Sequence, residues 1–543
     1  MIIFPRVLIC LFWLLASGIA VASQPWENEL RIKSAELVGA KLKKMPSLIV
    51  NLEDSREFAL PMLRAMLEGN LQFQKSDKKL VIIVSSSAGE ISVVDAVTGE
   101  ILPVVEKKAL KKIRVNNKLR IQIRQIISRI TIGSKDASLR KKAVENILNN
   151  LTDENIILLS EVKQKETDTT ILSLINLAIA INNLSNSIVP EVRLSALDEM
   201  SGNLEPLVFN TLSLILDRHK TGVQIEQNHQ VLKKIQSVHS GILFKNKLYG
   251  LAERVYYGLS LGSVLLLIAM GLAITFGVMR VINMAHGELI MLGAYTTYVV
   301  QQCMPNDIEY SIFLAIPCAF LVSGSVGILI ERFVIRFLRG RPLETLLATF
   351  GVSLILQQAV RTLFSPLNRQ VVNPDWLSGS LEINPIFSLT YNRLYILIFA
   401  LIIFACLQLL LRKTELGLHV RAVSQNREMA KSLGIKTDRV DAMTFGLGSG
   451  IAGLAGVALS QITNVGPNLG QAYIIDSFMV VVFGGVGNLY GTLVGGFSLG
   501  VMNKFLEPAV GAVLSNIFVL VFIVLFIQIR PSGLFPQRGR AAR

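Results

Sequence analysis

The chain has 543 residues, 51% of them AVILMFWYC and only 17% charged, with 40 glycines, four cysteines and a mean hydropathy of +0.51. This composition excludes a disordered chain and a disulfide-built miniprotein, and it points to a membrane protein. The net charge of +15 is spread unevenly: residues 24–250 carry 32 Lys/Arg and 25 Asp/Glu, whereas the longer stretch 251–543 carries 21 and 14.

Residues 1–23 open with Arg6, run through VLICLFWLLA and reach Ala20-Val21-Ala22, which reads as a secretory signal peptide. An uncleaved first membrane helix is the alternative, and under either reading residues 24–250 form an exported, periplasmic soluble domain. Residues 29–68 show helical apolar spacing. KLVIIV, ISVVDAVTGEIL and KIRVNNKLRIQI are predicted to form short strands, with turns at Thr98-Gly99 and Asn116-Asn117. From Ile126 the pattern returns to helix. SLRKKAVENI (138–147) and EVRLSALDEM (191–200) share one scheme, which resembles the inner helix of HEAT-like repeats, although two copies 53 residues apart do not establish a solenoid. Ser85-Ser86-Ser87 lacks a nucleophile elbow, and His219, His229 and His239 recur every ten residues, the pattern of solvated polar positions rather than metal ligands. Cys10, Cys303, Cys318 and Cys406 have no CxxC spacing, so neither a disulfide framework nor a zinc site is expected.

Residues 251–543 read as an all-α polytopic membrane domain with seven clear spans, at about 256–279, 284–303, 311–330, 343–364, 393–411, 440–461 and 509–529. Residues 474–507 are too long for one helix and are interrupted by Gly484, Gly485, Gly487 and Gly491. They are predicted to form two short helices meeting at a Gly-rich break, giving nine crossings, or a re-entrant hairpin, giving seven. Pro508 is expected to separate them from the last span. With an outside start, Arg280, residues 331–341, residues 412–439 and the tail with Arg530, Arg538, Arg540 and Arg543 fall on the cytoplasmic side. They hold 16 of the 21 basic residues after Gly250, so positive-inside bias accounts for the charge and nucleic acid is not needed.

No G-x-x-x-x-G-K-[ST] sequence occurs, so the chain offers no phosphate-binding loop of that type. A pore or carrier powered passively, by ions or by a separate ATPase is implied, with no cofactor and no metal. In FGVMRVINMAHGELIMLGAYTTYVVQQ (276–302), Asn283, His286 and Glu288 stand at a helix junction within or near the membrane. Polar groups there are costly and point to function. The bland alternative has Asn283 capping the second span and Glu288 offsetting its dipole.

INMAHGELIMLGAY resembles the signature of the branched-chain amino acid permease family of bacterial ABC importers, and FGGVGNLYGTLVGG (483–496) resembles its second hallmark. Within that family, NMAHGE, RPLETLLATFGVSLILQQAVR, NPDWLSG and YNRLYIL are similar to urea transporter permeases that carry an exported extension. DAVTGE and NNKLR in residues 24–250 are similar to that extension. Arg280 departs from the pattern, which has Gly there.

The resemblance implies a permease subunit without an ATPase site, working with a second permease subunit, two cytoplasmic ATPase subunits and a periplasmic binding protein, most simply for urea. Branched-chain or other amino acids, or an ATP-independent urea facilitator, are the rival readings. Residues 412–440 then acquire the role of the ATPase coupling loop, through Glu415, Gly417, Arg421, Ala422, Glu428, Ala430 and Gly434, with a short helix near 425–433. For a neutral, donor-rich solute such as urea, Thr345, Thr349 and Ser353 recur at helical spacing, with Gln357 on the same stripe. The stripe serves equally as substrate lining or as hydrogen-bonding glue between helices. Gly450, Gly453 and Gly456 read as a close-packing face.

Overall fold

A computed structural model describes residues 25–87, 90–223, 226–279 and 281–535. The predicted leader, Arg280 and the terminal Arg538, Arg540 and Arg543 lie outside the described residues. The chain divides into two compact units, Met1–Ile242 and Leu243–Arg543.

The first unit begins with α1 (Pro25–Ala35), α2 (Met45–Asn51) and α3 (Leu60–Glu68), which ends on Gly69 at φ 79°. An antiparallel sheet follows, in the order β4-β3-β2-β1-β5, built from β1 (Leu71–Gln74), β2 (Leu80–Ser87), β3 (Glu90–Asp95), β4 (Ile101–Glu106) and β5 (Leu110–Lys112). The β3–β4 turn passes through Thr98-Gly99 as expected, with Asp95 Oδ1 accepting from the N–H groups of Val97 and Thr98. The strand expected beyond Asn116 is instead α4 (Asn117–Thr131). Asn116 Oδ1 accepts from Leu119 N at 2.9 Å, an N-cap that starts the helix. Leu119, Ile123 and Ile126 then bury one helical face, and that longer period overrides the short alternation of LRIQI.

The rest of this unit is helical: α5 (Ala137–Leu148), α6 (Asp153–Lys163), α7 (Thr169–Asn186), α8 (Pro190–Met200) and α9 (Pro206–Lys220), followed by α10 (His229–Met279), whose Val231, Ile235, Val238 and Ile242 complete this core. The two similar sequence segments are α5 and α8, and they share a device that their apolar pattern did not reveal. Arg140 of α5 donates to both oxygens of Glu166 at 2.8 and 2.9 Å, and Arg193, in the same place on α8, pairs with Glu226 at 2.6 Å. Two residues beyond each glutamate an Asx side chain caps the next helix: Asp168 accepts from Thr170 and Ile171, and Asn228 accepts from Gln230 and Val231. The repeat is therefore structural, with unequal spacing inside each copy. His219 and His239 are not merely solvated. Nδ1 of His219 accepts from Glu226 N, and His239 bonds to Ser213 Oγ and stacks on Phe209.

The hydrogen bonds from the Arg140 guanidinium, helped by the N–H groups of Asp168 and Thr167, hold the Glu166 carboxyl at about 2, below its ordinary 4.5, against the opposing effect of burial. A depressed carboxyl pKa contributes stability above the unfolded value and loses it as the pH falls through the folded one. The melting-temperature gap between the wild-type chain and Glu166→Gln should therefore be widest above about pH 5 and close toward about pH 2. Circular dichroism of the detergent-solubilised chain checks this, and a gap constant with pH would contradict it.

The second unit continues α10 and adds α11 (His286–Cys303), α12 (Ile308–Phe333), α13 (Pro342–Phe364), a hairpin of β6 (Ser380–Glu382) and β7 (Ser388–Thr390), α14 (Tyr391–Lys413), α15 (Glu415–Gln425), α16 (Arg427–Ser432), α17 (Thr437–Ser460), α18 (Gln471–Gly484), α19 (Leu489–Val510) and α20 (Ala512–Ile529). Among the described residues six helices, α10, α12, α13, α14, α17 and α20, are long and apolar enough to cross a membrane. The chain is a polytopic helical membrane protein with a mainly helical further region. Leu343, Leu347 and Leu354 of α13 and Val513, Ile517 and Leu525 of α20 are exposed, the apolar outer faces expected of helices set in lipid.

The expected Gly-rich break separates α18 from α19. Gly485 and Gly487 take φ values of 102° and 79°, which L side chains rarely adopt, and Asn488 caps α19 by accepting from Tyr490 and Gly491. Gly484 and Gly491 pack backbone to backbone. The chain turns again at Gly511 (φ 84°), not at Pro508. Pro508 lies in the last turn of α19, which closes with Gly511 N donating to Glu507 O at 2.8 Å.

Candidate functional site

Two sequence motifs about 65 residues apart meet in the interior of the second unit. Thr345, Thr349, Ser353 and Gln357 lie on one buried stripe of α13, each no more than 4% exposed, while neighbouring Gln358 is exposed. The 3.6-residue period turns this stripe inward and the leucines outward. It faces the chain that enters α11. Thr349 Oγ1 accepts from Met284 N at 3.2 Å, while Ser353 Oγ and Gln357 Nε2 both donate to Glu288 Oε1, at 2.9 and 2.7 Å. Thr345 does not join this cluster and bonds locally, donating to the carbonyls of Leu338 and Arg341.

Asn283, His286 and Glu288 are each at most 1% exposed. Asn283 does not cap α11 in the expected way: its Oδ1 accepts from Ala285 N at 3.0 Å, making a tight turn just before the helix. His286 donates from Nε2 to the Ile268 carbonyl of α10 at 3.1 Å. Glu288 is bonded to α13 and is not simply a charge at the helix start. One atom of each residue, Asn283 Nδ2, His286 Nδ1 and Glu288 Oε2, has no hydrogen-bond partner among the described residues. Buried polar atoms are ordinarily paired, and three open ones within six residues mark a place where a polar solute or water can bind. Among the described residues no cationic side chain hydrogen-bonds or ion-pairs with Glu288. Its partners are a hydroxyl and an amide.

Segment 412–440 holds two short helices where one was expected. Thr414 and Asn426 cap them, accepting from Gly417 N and Met429 N, and the second ends beside Gly434 at φ 85°. The predicted contact residues divide by burial. Ala430 is buried in an apolar cluster against which Ala422 packs, and Gly417 is buried against the Leu411 backbone, so these three fold the segment. Glu415, Arg421, Glu428 and Gly434 are exposed, although Arg421 also hydrogen-bonds the Leu411 carbonyl. Leu418, Met429 and Leu433, more than half exposed, are the apolar groups this surface presents. Sequence reasoning passed over them, although an apolar residue among charges beyond a helix cap was a visible signal. Among the described residues no group of three His, Cys, Asp or Glu is placed to hold a metal ion.

The second unit is thus a polytopic helical membrane unit whose polar side chains turn inward onto a buried carboxylate. Residues 254–529 match the family described as "Branched-chain amino acid transport system / permease component". The chain is 30% identical over 294 residues to the high-affinity branched-chain amino acid transport system permease protein LivH of Salmonella typhimurium, covering 52% of this chain and 94% of that protein. It is 28% identical over 299 residues to BraD of Pseudomonas aeruginosa, covering 53% and 96%. It is 27% identical over 290 residues to a probable LivH of Methanocaldococcus jannaschii, covering 50% and 88%. No solved structure matches. The chain belongs to the branched-chain amino acid permease family.

Proposed function

We propose that this chain is the permease subunit of an ATP-driven importer for urea. It would pair with a second permease subunit, two cytoplasmic ATPase subunits and a periplasmic binding protein in the bacterial inner membrane. Residues 1–23 serve as the export signal, 24–250 form the periplasmic domain, and 251–543 form the transmembrane domain, with 412–440 and the C-terminus in the cytoplasm. The chain performs no covalent chemistry. Asn283, His286, Glu288, Thr349, Ser353 and Gln357 line the solute pathway, and Thr345 continues the stripe toward the 335–341 turn.

The observation that carries the substrate reading is the character of the buried cluster. Urea is neutral and planar, with four N–H donors and one carbonyl. Glu288 keeps one carboxylate oxygen free to accept, Asn283 keeps its amide N–H groups free to donate, and hydroxyl and amide side chains surround them. A zwitterionic amino acid would call for a cation opposite its carboxylate, and among the described residues none is bonded into this cluster: Arg361, one turn beyond Gln357 on α13, bonds to Asn468 instead. Rearrangement of segment 412–440 by the ATPases would switch the solute pathway from outward to inward facing.

The relatives' names favour a second reading, a branched-chain amino acid as solute. Initial uptake of radiolabelled urea and leucine, in cells holding the complete transporter with and without this chain, separates them. Loss of urea uptake alone is the expected result. Loss of leucine uptake with urea unchanged would replace the substrate and keep the transporter.

A further inference from the structure

Outside the polar stripe, the second unit buries a second set of charges. Glu331, at the end of α12, and Asp441, in the first turns of α17, are both fully buried. Two carboxylates so placed repel each other and cannot stand without cations. Arg339, from the turn between α12 and α13, bridges them: its Nη2 donates to Glu331 Oε1 at 2.7 Å and lies 2.6 Å from Asp441 Oδ2, while Nη1 reaches Asp438 at 2.5 Å. Arg332 lies 3.9 Å from the second Glu331 oxygen and Arg336 pairs with Asp438 at 3.4 Å, and a further cation comes from segment 412–440. Arg427, the first residue of α16, pairs with the same Asp441 oxygen that faces Arg339. A single carboxylate thus joins the short helix α16 to α17, and through Arg339 to α12.

From α17 the connection continues as backbone contact. Gly456 of α17 lies against the Ile290 carbonyl of α11, Gly453 against the Ala319 carbonyl of α12, and α11 carries Glu288 two residues before Ile290. At Gly456 the backbones of α17 and α11 meet with no side chain between them, so displacement of one is passed to the other.

We propose that Arg339 and Arg427 are positioning residues that transmit movement of α16, through Asp441, to the α11–α12–α17 packing that holds Glu288. This inference rests on reading segment 412–440 as the ATPase-coupling loop. Neither residue touches solute. The apolar cluster of Val420, Val423, Ala430 and Val440 holds the segment in place without them, so the ion pairs add direction to a contact that already exists.

The test uses the complete transporter reconstituted in liposomes, with ATP hydrolysis and uptake of radiolabelled urea or leucine measured together. Arg427 is one-third exposed, so Arg427→Gln removes the link with little risk to folding. Asp441→Asn, nearly isosteric, removes it from the other side. The solute-to-ATP ratio is expected to fall about tenfold in both variants, within the usual range of coupling between sites, and Arg427→Lys should restore it. A merely structural role would lower hydrolysis and uptake together and leave the ratio unchanged. Wild-type ratios in both variants would overturn the proposal. Uptake by the wild type without any ATPase subunit would instead overturn the transporter reading on which it rests.

Discussion

Glu288→Ala is expected to lower solute uptake about a hundredfold, the largest effect of any single side chain in the proposed pathway. The change leaves the donors of Ser353 and Gln357 without an acceptor inside the protein. Each unpaired buried group costs about 1–3 kcal/mol, and about 2.8 kcal/mol corresponds to a hundredfold. Glu288→Gln separates the two readings of this residue. The glutamine carbonyl can still accept from both partners, so glue between α11 and α13 survives, while the open carboxylate oxygen becomes an amide donor. If the carboxylate meets the solute, Glu288→Gln should assemble normally and transport about tenfold more slowly, a cost of roughly 1.4 kcal/mol. Initial uptake rates normalised to the amount of chain in the membrane decide this. Wild-type transport by Glu288→Gln would assign the residue to helix packing and remove it from the pathway.

Much of this site was legible because membrane burial makes polar residues conspicuous. Thr349, Ser353 and Gln357 stand out in an apolar helix by spacing alone, and Asn283, His286 and Glu288 by their cost at a helix junction. What the spacing could not supply was their meeting, since nothing local says that a stripe on α13 faces the entry to α11. The Gly-rich break was legible for a similar reason, because four glycines in eight residues leave few conformations other than a turn. Pro508 misled because proline is tolerated in a last helical turn, and Gly511 three residues later supplies the φ that ends the helix. The strand expected beyond Asn116 is absent because the Asn116 side chain caps a helix whose longer apolar period outweighs five alternating residues. The Glu331–Arg339–Asp441–Arg427 network was not legible at all. Its members are spread over more than a hundred residues of segments rich in basic residues, among which buried acids do not stand out.

Gly456→Ala should nearly abolish accumulation of the folded chain, although it adds one methyl group to a helix. A Cβ at that position would stand 2.0 Å from the Ile290 carbonyl oxygen and 2.7 Å from Ala294 N, both backbone atoms of α11. No rotamer change relieves a backbone clash, so the helices must part, and with them Gly293 from Gly453 and Gly453 from the Ala319 carbonyl. Overpacking of this kind costs about 3 kcal/mol or more. In a membrane the loss is not recovered by hydrophobic burial elsewhere, because close van der Waals packing between small residues is itself what holds such helices together. Gly351→Ala on α13 is the matched control: the same substitution in a membrane helix where nothing lies within 4 Å of the added atom. Abundance in the membrane and melting of the detergent-solubilised chain should fall sharply for Gly456→Ala and hold for Gly351→Ala. Equal stability of the two would mean that α11 and α17 are not in backbone contact, and the route from α16 to Glu288 would then lose its central link.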